Sequence, residues 1–291
     1  MQIGLHALGI GPGADPEVIG AVGRTAEQCG FATLWAGEHV VMVDRPDSVY
    51  PYADDGRIAV PSNADWLDPL ALFAFLAATT SRIRLATGVL LLPEHNPLIV
   101  AKHAASVDVL SGGRLTLGVG IGWSAEEYAA LGVPFGGRGA RNREYVEAMR
   151  LLWRDDRSSY TGEYVNFEQV RCYPKPVQHA IPIVFGGNGA RVLDRVARYG
   201  DGWYGFNLTL AELPERLEML GAACQRHGRD ATSIPTAAFV SDATPSDVPD
   251  LAALGLTELV LVESPPSAPD DASAWVEEAA RRWGLETRAT P

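Results

Sequence analysis

The side chains of this sequence that could do chemistry fall where apolar runs end. Glu38 and His39 close the run FATLWAGEHV at 31–40. A carboxylate beside an imidazole can hold, give or accept a proton near neutrality, since the ordinary imidazole pKa is about 6.5. A histidine bonded only to its own loop is the plainer reading of the same pair. The run IPIVFGG at 181–187 passes through Gly186, Gly187, Asn188 and Gly189 into a helical pattern. Free N–H groups at a helix start suit a phosphate, and glycines let one come close. A simple tight turn would use the same residues. In GVGIGWSAEEY at 118–128, Gly118, Gly120 and Gly122 leave a strand end without side chains. A flat ring could lie there against the backbone, with Trp123 stacking on it or lining its pocket. Ser124 and Glu127 read as a helix N-cap and the third helical residue. Gly88, inside LATGVLLLP, marks either a close backbone approach or a bulge.

Other chemistries find little support. His6 reads as a core histidine and Asn96 as a helix cap, and His95, His103, His179 and His227 lack metal-ligand spacing. No HExxH and no GxSxG occurs, which argues against a zinc enzyme and a serine hydrolase. The net charge is −12. Such a chain repels phosphate backbones and anionic lipid, so the expected partner is a small-molecule substrate, not nucleic acid or membrane. Cys29, Cys172 and Cys224 are odd in number and widely spaced. That argues for a reduced, cytoplasmic setting without a disulfide framework. The opening residues MQIGLHAL have no basic stretch before their apolar run, so no signal peptide is expected. The aliphatic run from Val89 to Leu92 stops at Pro93, far short of the roughly 18 residues a membrane span needs.

The elements that must position these residues alternate along the 291-residue chain. Strands are predicted at 2–10, 31–40, 82–93, 114–122, 181–187, 201–206, 234–240 and 257–263, with helical patterns after each. Asp15-Pro16, Asp68-Pro69 and Asn96-Pro97 open helices. Residues 41–67, rich in Pro, Asp and Tyr, form a long insert after the second strand; loops of this length are commonly lids. A short hairpin excursion is predicted at 158–174, before the fifth strand, and a Pro-rich loop at 264–273. Eight strand–helix units favour one closed (β/α)8 barrel over residues 1–291. Chemistry in that fold sits on loops at the strands' C-terminal ends, where Glu38, His39, Trp123 and the 186–189 turn all fall.

Ordered agreement over roughly residues 1–206 carries a resemblance. The stretches are WAGEHV (35–40), YPYADDGRIAVP (50–61), the continuous run from Asp68 to Phe135, RGARNREYVEAMRLLW (138–153), GEYVNFEQVRCYPKPVQ (162–178) and PIVFGGNGARVLDRVARYGDGWY (182–204). The chain resembles the bacterial luciferase-like flavin and deazaflavin oxidoreductases, and most of all their F-420-dependent branch. The resemblance implies a cofactor laid over the barrel mouth. A third-strand bulge, often with a non-prolyl cis peptide, would back its ring at Gly88–Val89. Its phosphate would rest on Gly186–Gly189. His39 would stand by the reactive carbon, with Glu38 fixing its tautomer, and Gly120, Gly122 and Trp123 would line the ring site. Sugar-phosphate dehydrogenases of this group carry a Glu just after the fourth strand where this chain has Trp123, which points away from a sugar-phosphate substrate. The reading is hydride transfer between F-420 and a small organic substrate. The alternatives are an FMN-dependent monooxygenase and a barrel that binds a flavin-like ligand without turnover. Tyr50, Tyr52 or Trp66 from the insert would line the substrate side. The family commonly forms homodimers.

Overall fold

Short apolar runs buried on both faces build the sheet, as a parallel barrel requires. Residues 1–285 are described by the computed structural model; 286–291, the end of the expected 1–291 barrel, lie outside the described residues. β1 (Gln2–His6) leads to α1 (Pro16–Gln28), β2 (Thr33–Ala36) to α2 (Pro69–Thr79), and β3 (Arg84–Thr87) to α3 (Pro97–Leu110). β4 (Leu115–Val119) leads to two helices, α4 (Ala125–Ala130) and α5 (Arg138–Arg154). The antiparallel hairpin of β5 (Ser158–Thr161) and β6 (Asn166–Val170) follows. Four more units complete the fold: β7 (Ile183–Gly186) with α6 (Ala190–Tyr199), β8 (Gly202–Leu208) with α7 (Leu213–Arg226), β9 (Thr236–Val240) with α8 (Val248–Ala253), and β10 (Glu258–Val262) with α9 (Pro269–Arg282). β1 pairs in parallel with both β2 and β10, which closes an eight-stranded (β/α)8 barrel, with the hairpin outside it.

One device starts the first three helices. Asp15, Asp68 and Asn96 each accept hydrogen bonds from N–H groups of the first turn, and a proline follows each. The proline's missing donor costs nothing there. α9 also starts on proline, with Asp270 and Asp271 in its first turn, so the Pro-rich loop ends at Ala268 instead of 273.

The strands stop earlier than their apolar runs. β3 ends at Thr87, the Gly88–Val89 peptide is cis, and a 3-10 turn covers Leu92–Glu94. Leu90, Leu91 and Leu92 are buried all the same. Burial without a hydrogen-bond ladder looks the same in sequence as a strand, so the predicted 82–93 strand was too long. β1 likewise ends at His6, before residues 7–10.

Inside the barrel, Trp35 stacks on Tyr204 with ring centroids 4.6 Å apart. Below them, Glu258 accepts from the Trp35 indole N–H at 2.8 Å and from the Thr33 hydroxyl at 3.2 Å. Above them, His6, Val89 and Phe206 line the mouth. Burial lowers the His6 pKa to about 4, so it is a neutral core imidazole. The three cysteines are free thiols. Among the described residues no helix is long and apolar enough to cross a membrane.

Candidate active site

The chain leaves β2 through Gly37, and Glu38 and His39 then diverge. Successive side chains of an extended segment point to opposite sides. Glu38 turns towards the loop after β3, accepting from the Leu91 N–H at 2.6 Å and pairing with His95 Nε2 at 3.0 Å. Burial works to lower the His95 pKa, but the hydrogen bond and charge of Glu38 outweigh it and the net shift is upward. His39 turns towards α4, where its Nδ1 lies 2.7 Å from Glu127 Oε2. The other oxygen of Glu127 accepts from the Val40 and Val41 N–H groups at 2.7 and 3.2 Å. A carboxylate can only accept, so Nδ1 carries the proton and Nε2 is the imidazole's free nitrogen.

Behind this pair lies a third carboxyl. Glu94 is 6% exposed, and neither of its oxygens has a hydrogen-bond partner. Burial raises its pKa to about 9, and the charges of Glu127 and Glu38 add to the shift. It is therefore a neutral acid at pH 7.

The insert between β2 and α2 crosses the mouth. Trp66 donates its indole N–H to the Gly37 carbonyl at 3.2 Å and meets the His39 ring edge-on at 4.9 Å. Tyr50 packs on Trp123 at 5.3 Å and on Tyr52 at 5.5 Å. Tyr52 packs on Phe206 at 5.4 Å, and its backbone carbonyl accepts from the Asn207 amide at 2.7 Å. Burial pushes the Tyr50 hydroxyl up to about 12 and the Tyr52 hydroxyl also upward, so both are neutral donors. Outside this aromatic wall is a cavity of about 580 Å³. His39, Trp123 and Glu127 line one side; Met42, Val43, Ile58 and Val60 line the other, with Arg45 and Arg57.

The glycines of the mouth make room for the bulge after β3. A Cβ on Gly120 would come within 2.6 Å of a Val89 methyl, and one on Gly186 within 2.5 Å. A Cβ on Gly118 would collide with the Thr87 carbonyl. Val89 thus sits half-buried at the mouth, flanked by β4 and β7. Gly187 has φ +124°, a conformation open to glycine alone at low cost. Gly189 starts α6 with no side-chain cap, and while the Val192 N–H donates to the Gly189 carbonyl at 2.9 Å, those of Ala190 and Arg191 are free to meet an anion.

A family model described as luciferase-like monooxygenase matches residues 4–288. The chain belongs to that family. An uncharacterized protein of Mycobacterium tuberculosis is 37% identical over 263 residues, covering 90% of this chain and 92% of its own. The F-420-dependent hydroxymycolic acid dehydrogenase of M. tuberculosis is 31% identical over 216 residues, 72% of this chain and 54% of that protein. Among solved structures, the coenzyme F-420-dependent tetrahydromethanopterin reductase of Methanopyrus kandleri superposes with a TM-score of 0.75 over 97% of both chains, at 16% identity. That likeness is one of fold.

This luciferase-like barrel brings His39, Trp123, Val89 and the Gly186–Gly189 turn to one mouth, and three expectations change. Glu38 does not fix the His39 tautomer; Glu127 does, because Glu38 faces the other way. Gly118 and Gly120 do not leave bare backbone, because Thr87 and Val89 occupy that space. Tyr50, Tyr52 and Trp66 pack on Trp123, Phe206 and His39 and are not among the residues that line the cavity. The Asn188 side chain is taken up by the Phe206 N–H and carbonyl, at 3.0 and 2.7 Å, leaving only its backbone for a ligand. A Cβ on Gly122 would press on Glu94 and Tyr128, so that glycine serves the buried acid. Sequence reasoning passed over His95 and Glu94 and gave Glu127 only a capping role. Ser124 does accept the Glu127 N–H at 3.2 Å, but the Glu127 carboxylate goes to His39 instead of back to the cap.

Proposed function

We propose that the chain is an oxidoreductase that moves a hydride between deazaflavin F-420 and a small organic substrate. The observation that supports this best is one arrangement. Val89 is raised at the mouth between the uncapped start of α6 after Gly189 and an oriented imidazole at His39. The residues fit such a cofactor: Val89, seated over Gly120 and Gly186, would back the ring, and the first turn of α6 would hold the phosphate. When bound, the deazaflavin supplies the hydride acceptor or donor. His39 then holds or moves a proton at the substrate through Nε2, on the cavity side, while Glu127 keeps Nδ1 protonated. The insert and its aromatic wall keep bulk water from the reacting atoms. A cavity of about 580 Å³ takes a small molecule of moderate size.

A second reading uses FMN in place of F-420, and the monooxygenases that name the family support it. Equilibrium titration of the purified protein with F-420 and with FMN, read by cofactor fluorescence, separates the two. Tighter binding of F-420, followed by turnover, is the expected result. Tighter binding of FMN with oxygen-dependent turnover selects the monooxygenase, and binding without turnover selects the non-catalytic barrel. Gly187→Asp places a carboxylate at the phosphate turn and should weaken binding by at least about 1 to 3 kcal/mol. Unchanged affinity in the folded variant removes the phosphate assignment.

A further inference from the structure

The groove beyond the phosphate turn is a strongly basic feature of an acidic chain. It has a volume of about 440 Å³ and is lined by the first turns of α5 and by α6 along its whole length. Arg143, Arg191, Arg195 and Arg198 line it, with Asp194 and Tyr199. Asp194, the only carboxylate in the lining, is already engaged by His227 at 2.8 Å and Arg226 at 3.6 Å. Among the described residues, Arg191, Arg195 and Arg198 have no carboxylate within ion-pairing reach, and Arg143 has Glu147 at 3.8 Å. Gly139 lets the Arg195 guanidinium lie against the backbone; a Cβ there would come within 2.6 Å of it. Four guanidiniums gathered with only one carboxylate partner among them repel one another, in a chain whose net charge of −12 would pair them easily if pairing were their purpose.

The groove starts where the phosphate turn stops. Ala190 belongs to its lining and directly follows Gly189. A ligand whose phosphate rests on that turn therefore meets arginines as soon as it continues past the phosphate. FMN ends at its phosphate. F-420 continues through a lactyl group into a chain of glutamates, each adding a carboxylate. We infer that the arginine groove between α5 and α6 binds the anionic tail of the cofactor beyond its phosphate, and so selects a cofactor that has one. This rests on the F-420 reading and adds to it a site for the tail. The guanidiniums supply planar paired donors for carboxylates, and their local field offsets the long-range repulsion of the acidic chain.

The test compares F-420 carrying its full glutamate chain with the glutamate-free form, and both with FMN, by fluorescence titration at low and high salt. Each exposed guanidinium–carboxylate pair is worth about 1.5- to 5-fold in affinity. The full-length form should therefore bind about 3- to 30-fold more tightly than the glutamate-free form, and salt should shrink the gap. The Arg143→Ala, Arg195→Ala, Arg198→Ala triple variant should close the gap while leaving affinity for the glutamate-free form and for FMN unchanged. Arg198→Glu alone should narrow it. Circular dichroism checks that these surface variants fold. Equal affinity of the two deazaflavins at low salt, or a gap that survives the triple variant, overturns the tail site and leaves the F-420 reading standing. Failure of both deazaflavins to bind overturns both.

Discussion

Two buried carboxyls, one at each end of the barrel, meet opposite treatment. Glu258 near the floor is 8% exposed, with the Trp35 indole and the Thr33 hydroxyl bonded to it. Glu94 at the mouth is 6% exposed, with no partner for either oxygen. Burial raises the pKa of both, but at the floor the hydrogen bonds from Trp35 and Thr33 work against the rise. At the mouth the nearby charges of Glu127 and Glu38 add to it. A satisfied buried acid fastens the elements around it, whereas an unsatisfied one is a cost to stability. The floor of this barrel is built for stability, and the mouth carries groups that stability alone would not keep.

Substitutions at the two ends should then separate into losses of turnover and losses of stability. The largest effect is expected at His39. His39→Ala should lower turnover on the true substrate by roughly 10²- to 10⁴-fold, with cofactor affinity changed much less. Near wild-type turnover would reduce His39 to a wall of the pocket. Next comes Glu258→Ala, which strands the Trp35 and Thr33 donors in the core. Denaturant unfolding should show a loss of about 3 kcal/mol, and a loss under about 1 kcal/mol would mean the floor is no more critical than the mouth. The smallest effect is at Glu94, and it depends on pH. Its folded pKa of about 9 lies above its unfolded value, so between about pH 4.5 and 9 the unfolded chain has lost a proton that the folded chain keeps. Stability on this account is full at low pH and falls as pH rises through that window. Glu94→Gln removes the titration, so the variant should gain about 1 kcal/mol or more over wild type between pH 5 and pH 8. A difference that stays constant with pH would show that Glu94 is ionised in the folded protein.

The eight strands and the Asp-Pro and Asn-Pro helix starts were legible because period and capping are local rules. The strand ends were not. Leu90 to Leu92 are apolar because α3 and α5 cover the loop, a fact about elements far apart in sequence. The candidate site divides the same way. His39 and the Gly186–Gly189 turn stand out by type and position, but the acid that orients His39 is 88 residues further on. Glu127 occupies a position that helix capping already explains, so nothing local asks for a second role. Glu38 was the obvious partner by adjacency, and the alternation of an extended chain was the signal against it. The glycines at 118 and 120 announced missing side chains, but only the fold shows that Thr87 and Val89 fill the space.

Apart from its aromatic contacts, the insert over the mouth is fastened at its two ends mostly through its main chain. At its start, the N–H groups of Val40, Val41, Asp47 and Ser48 donate to Glu127 and Glu126 of α4. At its end, Gly11 donates to the Asp65 carbonyl and Leu67 to the Gly9 carbonyl. Every residue but proline owns such a donor, and every residue owns such an acceptor. The anchoring chemistry is therefore indifferent to which side chains the insert carries. Selection, or a designer, could rewrite Met42, Val43, Arg45, Ile58 and Val60 to admit a different substrate while the two clamps, the barrel and the cofactor face stay as they are. The insert is an exchangeable specificity cassette, held by two acids on α4 and two peptide groups of the loop after β1.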